Sequence, residues 1–418
     1  MENIKMKPSG IEWLGDIPSD WEVVNIGGMY TVRNQKVSDR DYPPLSVTKQ
    51  GVLPQLDFVA KTNAHDDRKL VKKGDFAINS RSDRRGSCGV SEYDGSVSLI
   101  NTVLKPREQM HSGYYNWLFH TVQFGDEFYK NGHGIVDDLW TTNWQDMKKM
   151  RVPFPSLFEQ QKIAVFLDDR CSEIDALMTD IQSQIDTLEQ YKRSLITETV
   201  TKGLYSDVAM KDSNIEWIGL VPQHWDVSKI KYHLKRNEPK NPGGVQVLSV
   251  YREYGVIPKD SRDDNHNVTS QDTSKYKYVR PGDLVINKMK AWQGSLAVSE
   301  YEGIVSPAYF IYNFTDSRFN KKYFHFLIRS CYKDEFRRIS GGIRDGQWDL
   351  PAEGFANELV LLPPIDEQNH IVDYLDTKCA EIDSAITDKK AQLETLEQYK
   401  KSLIYEYVTG KKQVKENA

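Results

Sequence analysis

The chain has 418 residues, 55 Lys+Arg against 60 Asp+Glu for a net charge of −5, and is 39% hydrophobic and 28% charged. This is the composition of a folded protein of two or three domains and excludes a disordered chain. No apolar run reaches the ~18–20 residues of a membrane span, and Met1 to Gly10 lacks the apolar core of a signal peptide. Four scattered cysteines (Cys88, Cys171, Cys331, Cys379) show no ligand spacing, so the expectation is a reduced, cytoplasmic protein without structural zinc or disulfides.

A net charge of −5 does not advertise nucleic acid, but the charge is unevenly placed. Lys+Arg against Asp+Glu is 18 to 17 over residues 20–155 and 21 to 17 over 222–364. It is 5 to 9 over 156–205 and 8 to 11 over 365–418, so acid gathers in two stretches.

Those stretches belong to an internal duplication. LEQYKRSLI at Leu188 to Ile196 returns as LEQYKKSLI at Leu396 to Ile404, an offset of 208. The same offset pairs Glu159-Gln160 with Glu367-Gln368, Cys171 to Asp175 with Cys379 to Asp383, Gly74-Asp75 with Gly282-Asp283, and Ser91 to Tyr93 with Ser299 to Tyr301. Near the start of each copy the offset is 204: Ile11-Glu12-Trp13, Pro18 and Trp21 match Ile215-Glu216-Trp217, Pro222 and Trp225. Residues 97–150 and 305–358 share little beyond Gly134/Gly342 and Trp140/Trp348. A shared frame carries two divergent inserts, either by drift of surface loops or by diversification for recognition.

In chain order, each copy predicts a mixed α/β domain followed by a long helix. Strand-like runs fall at Val23 to Ile26, Phe76 to Ile78 and Val97 to Ile100, and again at Val245 to Val250, Leu284 to Ile286 and Leu296 to Val298. Gly/Asp punctuation separates them. Tyr114 to Phe124 and Phe319 to Ile328 carry helical spacing. Pro18 with Trp21, and Pro222 with Trp225, are expected to pack each domain onto its helix.

Glu159 to Thr199 contains neither proline nor glycine, and Ile174, Met178, Ile181, Ile185, Leu188 and Leu195 form a narrow seam interrupted by Lys192. Ser156 and Glu159 form a capping box, and Gly203 is the stop. The second copy repeats the seam at Ile382, Ile386, Leu393, Leu396 and Leu403, with Lys389 at one apolar position and Gly410 following. Pro364 replaces the serine cap, leaving Asp366 as the alternative. Tandem order favours antiparallel packing of the two helices within the chain over parallel or intermolecular packing. The fold class is therefore α+β, with an approximate two-fold internal repeat. Its boundaries are 1–155 and 205–364 for the domains, and 156–204 and 365–418 for the helical spacers.

Candidate DNA-contacting residues gather after one strand of each copy: Asn79, Arg81, Arg84 and Arg85 in the first, Lys288, Lys290, Trp292 and Gln293 in the second. Arginine binds guanine bidentately, asparagine and glutamine bind adenine, and lysine neutralises phosphate. A charged hairpin is commonly just a solvated loop; its recurrence at one place with different side chains favours recognition. The glycine-bearing stretches at 131–135 and 340–344 add His133 and Arg344, with an ordinary turn as the plain alternative. Catalytic signatures are missing. There is no phosphate-binding G-x-x-x-x-G-K-[ST] loop. Tyr42-Pro43-Pro44-Leu45 and Leu362-Pro363-Pro364-Ile365 lack the amide or carboxylate acceptor of the loop with which methyltransferases act on the amino groups of bases, and carboxylates do not cluster for a metal nuclease. The economical reading is a non-enzymatic recognition protein, with a protein-binding coiled-coil adaptor as the rival.

The Ile11-Glu12-Trp13-Leu14-Gly15 opening and its echo, the Glu-Gln junctions, the Gly-Asp strand motifs and the long helices together resemble the specificity subunit of type I restriction–modification systems, over almost the whole chain. The resemblance implies two variable target-recognition domains, at 20–155 and 222–364, each reading half of a bipartite, non-palindromic site in double-stranded DNA. It implies helices, at 156–204 and 365–412, that pack antiparallel, set the gap and dock two methyltransferase subunits, with motor–endonuclease subunits joining them. It implies no cofactor in this chain; S-adenosylmethionine, ATP and Mg are expected on the partners. Lys202-Gly203 against Gly410-Lys411 departs from the repeat and leaves the helix ends open.

Overall fold

The computed structural model describes residues 5–55, 65–108, 110–134, 140–252, 254–262, 272–342 and 348–415. The chain divides into two compact units, 1–182 with 390–418, and 183–389. Each contains one mixed domain and a stretch of both long helices.

In the first unit an antiparallel sheet runs in the order Cys88–Val90, Phe76–Asn79, Asn101–Pro106, Tyr30–Val32. The second unit repeats it as Leu296–Val298, Leu284–Asn287, Tyr309–Phe314, Leu234–Arg236. A smaller layer, Gly95–Ser98 with Arg68–Val71, and a hairpin, Leu45–Thr48 with Gly51–Pro54, lie beside the first sheet. Their counterparts are Gly303–Val305 with Lys277–Val279, and Leu248–Tyr251 with Gly255–Pro258. The central strands Phe76–Asn79 and Leu284–Asn287 are short and almost wholly buried because helices cover one face and the smaller layer covers the other.

Several expected elements shift. The Val97 strand ends at Ser98, and the Val245 strand begins only at Leu248. The helix expected over Tyr114 to Phe124 is two helices, Ser112–Phe119 and Val122–Lys130. Thr121 makes the break: its hydroxyl donates to the Leu118 carbonyl at 2.7 Å and accepts the Phe124 N–H at 3.3 Å. A side chain that satisfies the backbone this way favours a cap over a helix interior. The second-copy helix is Lys321–Cys331, started by Asn320, whose carboxamide accepts the Lys322 and Tyr323 N–H groups.

The long helices run Leu157–Lys202 and Ile365–Val408. Glu159 N–H donates to Ser156 Oγ at 3.3 Å, while the serine hydroxyl donates to Glu159 Oε2 at 3.1 Å. In the second copy Asp366 lies inside the first turn rather than at the cap; the Pro364 carbonyl accepts the Gln368 N–H at 3.0 Å. Both helices stop at a left-handed glycine, Gly203 (φ +76°) and Gly410 (φ +72°). The stop glycine of the second falls one residue earlier in the repeat frame.

Within each unit the two helices run antiparallel. In the first, the Phe166 and Tyr407 ring centroids lie 4.5 Å apart, and Asp175 pairs with Lys400 at 2.6 Å. In the second, Gln184 bonds Lys389, and Lys192 pairs with Asp383 at 2.6 Å. Ile174, Ile181, Ile185, Ile382, Ile386 and Leu403 are buried, and Met178, Leu188, Leu195, Leu393 and Leu396 are half-buried. The lysines that interrupt each seam snorkel to polar groups on the opposite helix, Lys192 to the Asp383 carboxylate and Lys389 to the Gln184 carboxamide oxygen. Among the described residues, no helix is long and apolar enough to cross a membrane.

Candidate nucleic-acid interface

In the first unit the strand Phe76–Asn79 runs into a single 3₁₀ turn, Ser82–Arg84, and returns through Cys88. Asn79 shapes this exit: its Oδ1 accepts the Arg81 N–H at 3.1 Å, and its own N–H donates to Ser87 O at 2.8 Å. Gly86, at φ +74°, closes the loop. Tyr129 supports it from below, its hydroxyl donating to Arg84 O at 3.1 Å. In the second unit Asn287, the repeat equivalent of Asn79, accepts the Met289 N–H and donates to Ser295 O at 3.0 Å, and Gly294 (φ +91°) closes that loop. The asparagine is thus partly committed to the turn in both copies.

The two candidate stretches of each copy meet. Thr141 bridges to both Arg81 and His133, and Thr142 N–H donates to Ser80 O at 3.0 Å. In the second unit Asp349 bridges to Gly341, and Leu350 N–H donates to Lys288 O at 2.9 Å. These bonds repeat at the 208 offset, so one backbone junction carries unlike side chains.

Every candidate cation of the first loop is held loosely. Arg81 faces Asp83 at 3.1 Å, Arg84 faces the same carboxylate at 3.8 Å, Arg85 pairs with Asp126 at 3.0 Å, and His133 lies 3.4 Å from Asp146. The Arg84 and Arg85 side chains are 67% and 62% exposed, so their ion pairs contribute little to stability, and the His133 side chain is 73% exposed. In the second unit Lys288 pairs with Asp349 at 2.8 Å, and Lys290 is exposed. Gln293 accepts from Arg252. The Trp292 ring lies 5.1 Å from Trp348, whose face carries Arg337 at 5.9 Å. Arg344 lies outside the described residues.

Sequence reasoning missed a groove of about 720 Å³ beside the first loop. Lys49, Gln55, Arg68 and Asn101 line it together with Asn79, Arg81 and Arg84. Arg68 is 6% exposed and held by Ser96, with Nε donating to Oγ and Nη2 to the carbonyl, both at 2.9 Å. Burial pushes its guanidinium below the ordinary value, partly offset by Asp39. Asn101 Nδ2 donates to Ser98 O at 3.1 Å, while its buried Oδ1 has no donor. These residues come from three strands far apart in sequence. The available signal was that matched positions of the repeat, Arg68/Tyr276 and Asn101/Tyr309, differ in kind.

Residues 18–187 match the family described as type I restriction modification DNA specificity domain. Two similar proteins come from Methanocaldococcus jannaschii. The type I restriction enzyme MjaVIII specificity subunit is 24% identical over 437 residues, covering 96% of this chain and 94% of that protein. The putative type I restriction enzyme MjaX specificity subunit is 23% identical and covers 96% of both. Among solved structures, a chain from work on complex assembly and conformational transition of the type I R-M system superposes with a TM-score of 0.68 at 13% identity, over 94% of this chain and 98% of its own. The HsdS subunit from Thermoanaerobacter tengcongensis gives a TM-score of 0.52 at 16% identity over the same shares. The fold expected from the repeat, two mixed domains alternating with two long helices, is the fold of these structures.

Proposed function

We propose, from the premise that residues 18–187 belong to the type I restriction modification DNA specificity domain family, that the chain is the DNA sequence-recognition subunit of such a system. In this reading each mixed domain reads one half of a bipartite, non-palindromic site in double-stranded DNA. The long helices set the gap and dock two methyltransferase subunits, to which motor–endonuclease subunits add. The chain itself carries no catalytic site; S-adenosylmethionine, ATP and Mg act on the partners, in the cytoplasm.

The observation that carries the reading is the duplicated junction. Thr142 to Ser80 and Leu350 to Lys288 are the same backbone bond in two copies, yet one presents Arg81, Arg84 and Arg85 and the other Lys290, Trp292 and Gln293. A fixed frame with unlike polar tips is what reading two different base sequences requires. Loosely paired surface cations supply the phosphate attraction that positions a duplex before bases are read.

Binding to random duplex pools with the methyltransferase partner present tests it. Affinity should fall steeply with salt, and replacing Arg81, Arg84 and Arg85 with alanine should damage one half-site only. Salt-insensitive or absent binding points instead to a protein-binding adaptor, and equal damage to both half-sites contradicts modular reading. Methylation or cleavage of DNA by the purified chain alone would contradict the assignment of chemistry to partners.

A further inference from the structure

The strand register aligns the groove of the first unit with a definite place in the second. The hairpin partners Thr48 and Gly51 correspond to Tyr251 and Gly255. Val71 opposite Gly95 corresponds to Val279 opposite Gly303, which sets Arg68 against Tyr276. Asn101 opposite Asn79 corresponds to Tyr309 opposite Asn287. Three positions around one groove are therefore Thr, Arg and Asn in one copy, and Tyr, Tyr and Tyr in the other.

The surrounding frame does not change in kind. Leu45, Ser46 and Val47 return as Leu248, Ser249 and Val250. Gly95 and Gly303 stay glycine because a Cβ would lie 2.5 Å from Pro43 O in one and 2.6 Å from Gln246 O in the other. Drift over a solvated loop would scatter charged and polar residues. Here three half-buried or buried positions, drawn from three separate strands, switch chemistry together. The tyrosines also sit together: Tyr309 lies near Asn287, the Val250 backbone, Tyr251 and Tyr276. Tyr251 Oη is buried without a partner, just as Asn101 Oδ1 is.

Resting on the function proposed above, we infer that this groove is the specificity-determining seat of each domain, and that the two seats take different base edges. The first carries the side-chain donors of Lys49 and Gln55 on its wall over an Arg68 floor, and suits the two major-groove acceptors of guanine, N7 and O6. The second presents phenol rings and suits the thymine methyl group. Arg68, fixed by Ser96, is a positioning residue that holds the polarity of the floor; exposed Lys49 and half-buried Gln55 on the wall reach the base.

The test uses the chain co-expressed with its methyltransferase partner, reading the modified motif by sequencing host DNA. Thr48→Tyr and Tyr251→Thr are the primary variants, since both positions are half-buried at hairpin ends; the triple exchange Thr48→Tyr, Arg68→Tyr, Asn101→Tyr is the stronger one. Each single variant should cut discrimination at one base pair by about tenfold, the scale of one good base contact. Thr48→Tyr should act at a G·C pair in one half-site, Tyr251→Thr at an A·T pair in the other. Motifs unchanged within about twofold in both single variants, an effect in the wrong half-site, or the opposite base identities would overturn the inference while leaving the parent function standing. A wild-type complex that modifies no bipartite motif would overturn both. Retained thermal unfolding and retained methylation of the unaffected half-site separate lost reading from lost folding.

Discussion

Replacing Gly410 by alanine tests how the first domain is locked to the end of the second long helix. Gly410 sits at φ +72°, and a Cβ built there would lie 2.3 Å from Pro18 Cδ, 2.5 Å from Pro18 Cγ and 3.0 Å from the Trp21 ring. Carbon pairs rest at about 3.5–4.0 Å, so the contact demands a shift of about 1 Å or more from a buried proline ring that has no rotamer to yield. The left-handed backbone costs alanine about 1–2 kcal/mol, of which the stiffer unfolded chain returns about 0.5. Overpacking adds about 1–3 kcal/mol. The total is about 2–4 kcal/mol. Two controls isolate the clash. Gly15 has φ +68° with nothing within 4 Å, so Gly15→Ala carries the backbone cost alone, about 1 kcal/mol. Gly203 has φ +76°, but its closest obstacle is the flexible Glu367 Oε1 at 2.8 Å, so Gly203→Ala falls between them. Urea unfolding followed by tryptophan fluorescence should rank the losses Gly410→Ala, Gly203→Ala, Gly15→Ala. A Gly410→Ala loss no larger than that of Gly15→Ala would refute the close docking of Pro18 on the helix end.

The junction glutamines offer a second prediction. Gln368 is fully buried, accepts the Asn320 N–H and donates to Pro363 O and Arg318 O, all at 2.8 Å. Gln368→Ala leaves those backbone groups unpaired and should cost about 3 kcal/mol in the same urea assay. For the helix pair, a double-mutant cycle on Lys192 and Asp383 should give a coupling of only about 0.5–1 kcal/mol, shrinking with salt, because both groups are partly exposed. The pH dependence of the second unit carries two opposed contributions. Burial, with the Arg329 and Lys322 charges, pushes the His325 imidazole down to about 3. Only the unfolded chain protonates it between pH 6.5 and 3, so its contribution to stability falls as pH falls through that window. Burial and the Glu335 charge push the Glu358 carboxyl up to about 6, so the folded state alone holds that proton between pH 4.5 and 6, and this contribution falls as pH rises. Glu358→Gln should gain stability relative to the parent as pH rises from 4.5 to 6, and His325→Phe should gain on acidification below 6.5, each by at most about 1.4 kcal/mol per pH unit in chemical-denaturation series.

The frame was legible in the sequence wherever a local rule decides the structure. The proline- and glycine-free seam runs and their glycine stops gave both long helices, and Trp21 and Trp225 do pack on them: Trp21 Nε1 donates to Glu159 at 3.3 Å and Trp225 Nε1 to Glu367 at 3.0 Å. The Thr121 break was hidden because its hydroxyl overrides an apolar pattern that continues across it. Of the candidate interface, the exposed cations were readable as a loop after a strand. Asn79 and Asn287 were read for base contact, whereas their side-chain oxygens serve first as turn acceptors. The groove as a whole was not readable; the sequence held only the mismatch at Arg68/Tyr276 and Asn101/Tyr309. Thr48, Arg68 and Asn101 lie on three strands, and only the pairing of Asn101 with Asn79 and of Arg68 with Ser98 brings them to one wall. Register of that kind is set by burial over the whole sheet and leaves no trace at any one position.

The same register explains how two unlike domains tolerate one frame. Each domain fastens to the start of one long helix and the end of the other with matched contacts. Trp21 holds Glu159 and abuts Gly410, while Trp225 holds Glu367 and abuts Gly203. Tyr114 donates to Val408 O at 2.7 Å, and Tyr323 donates to Val200 O at 2.9 Å. All four anchoring aromatics are buried, and each docked ring removes about 150–250 Å² from water, far more than the exposed loop pairs contribute. Stability is therefore concentrated in contacts that the two copies share. The exposed loop positions where they differ add little to it. In the proposed reading, substitution there would alter what is recognised without moving the helices, which is the physical condition for a duplicated protein to acquire two different targets.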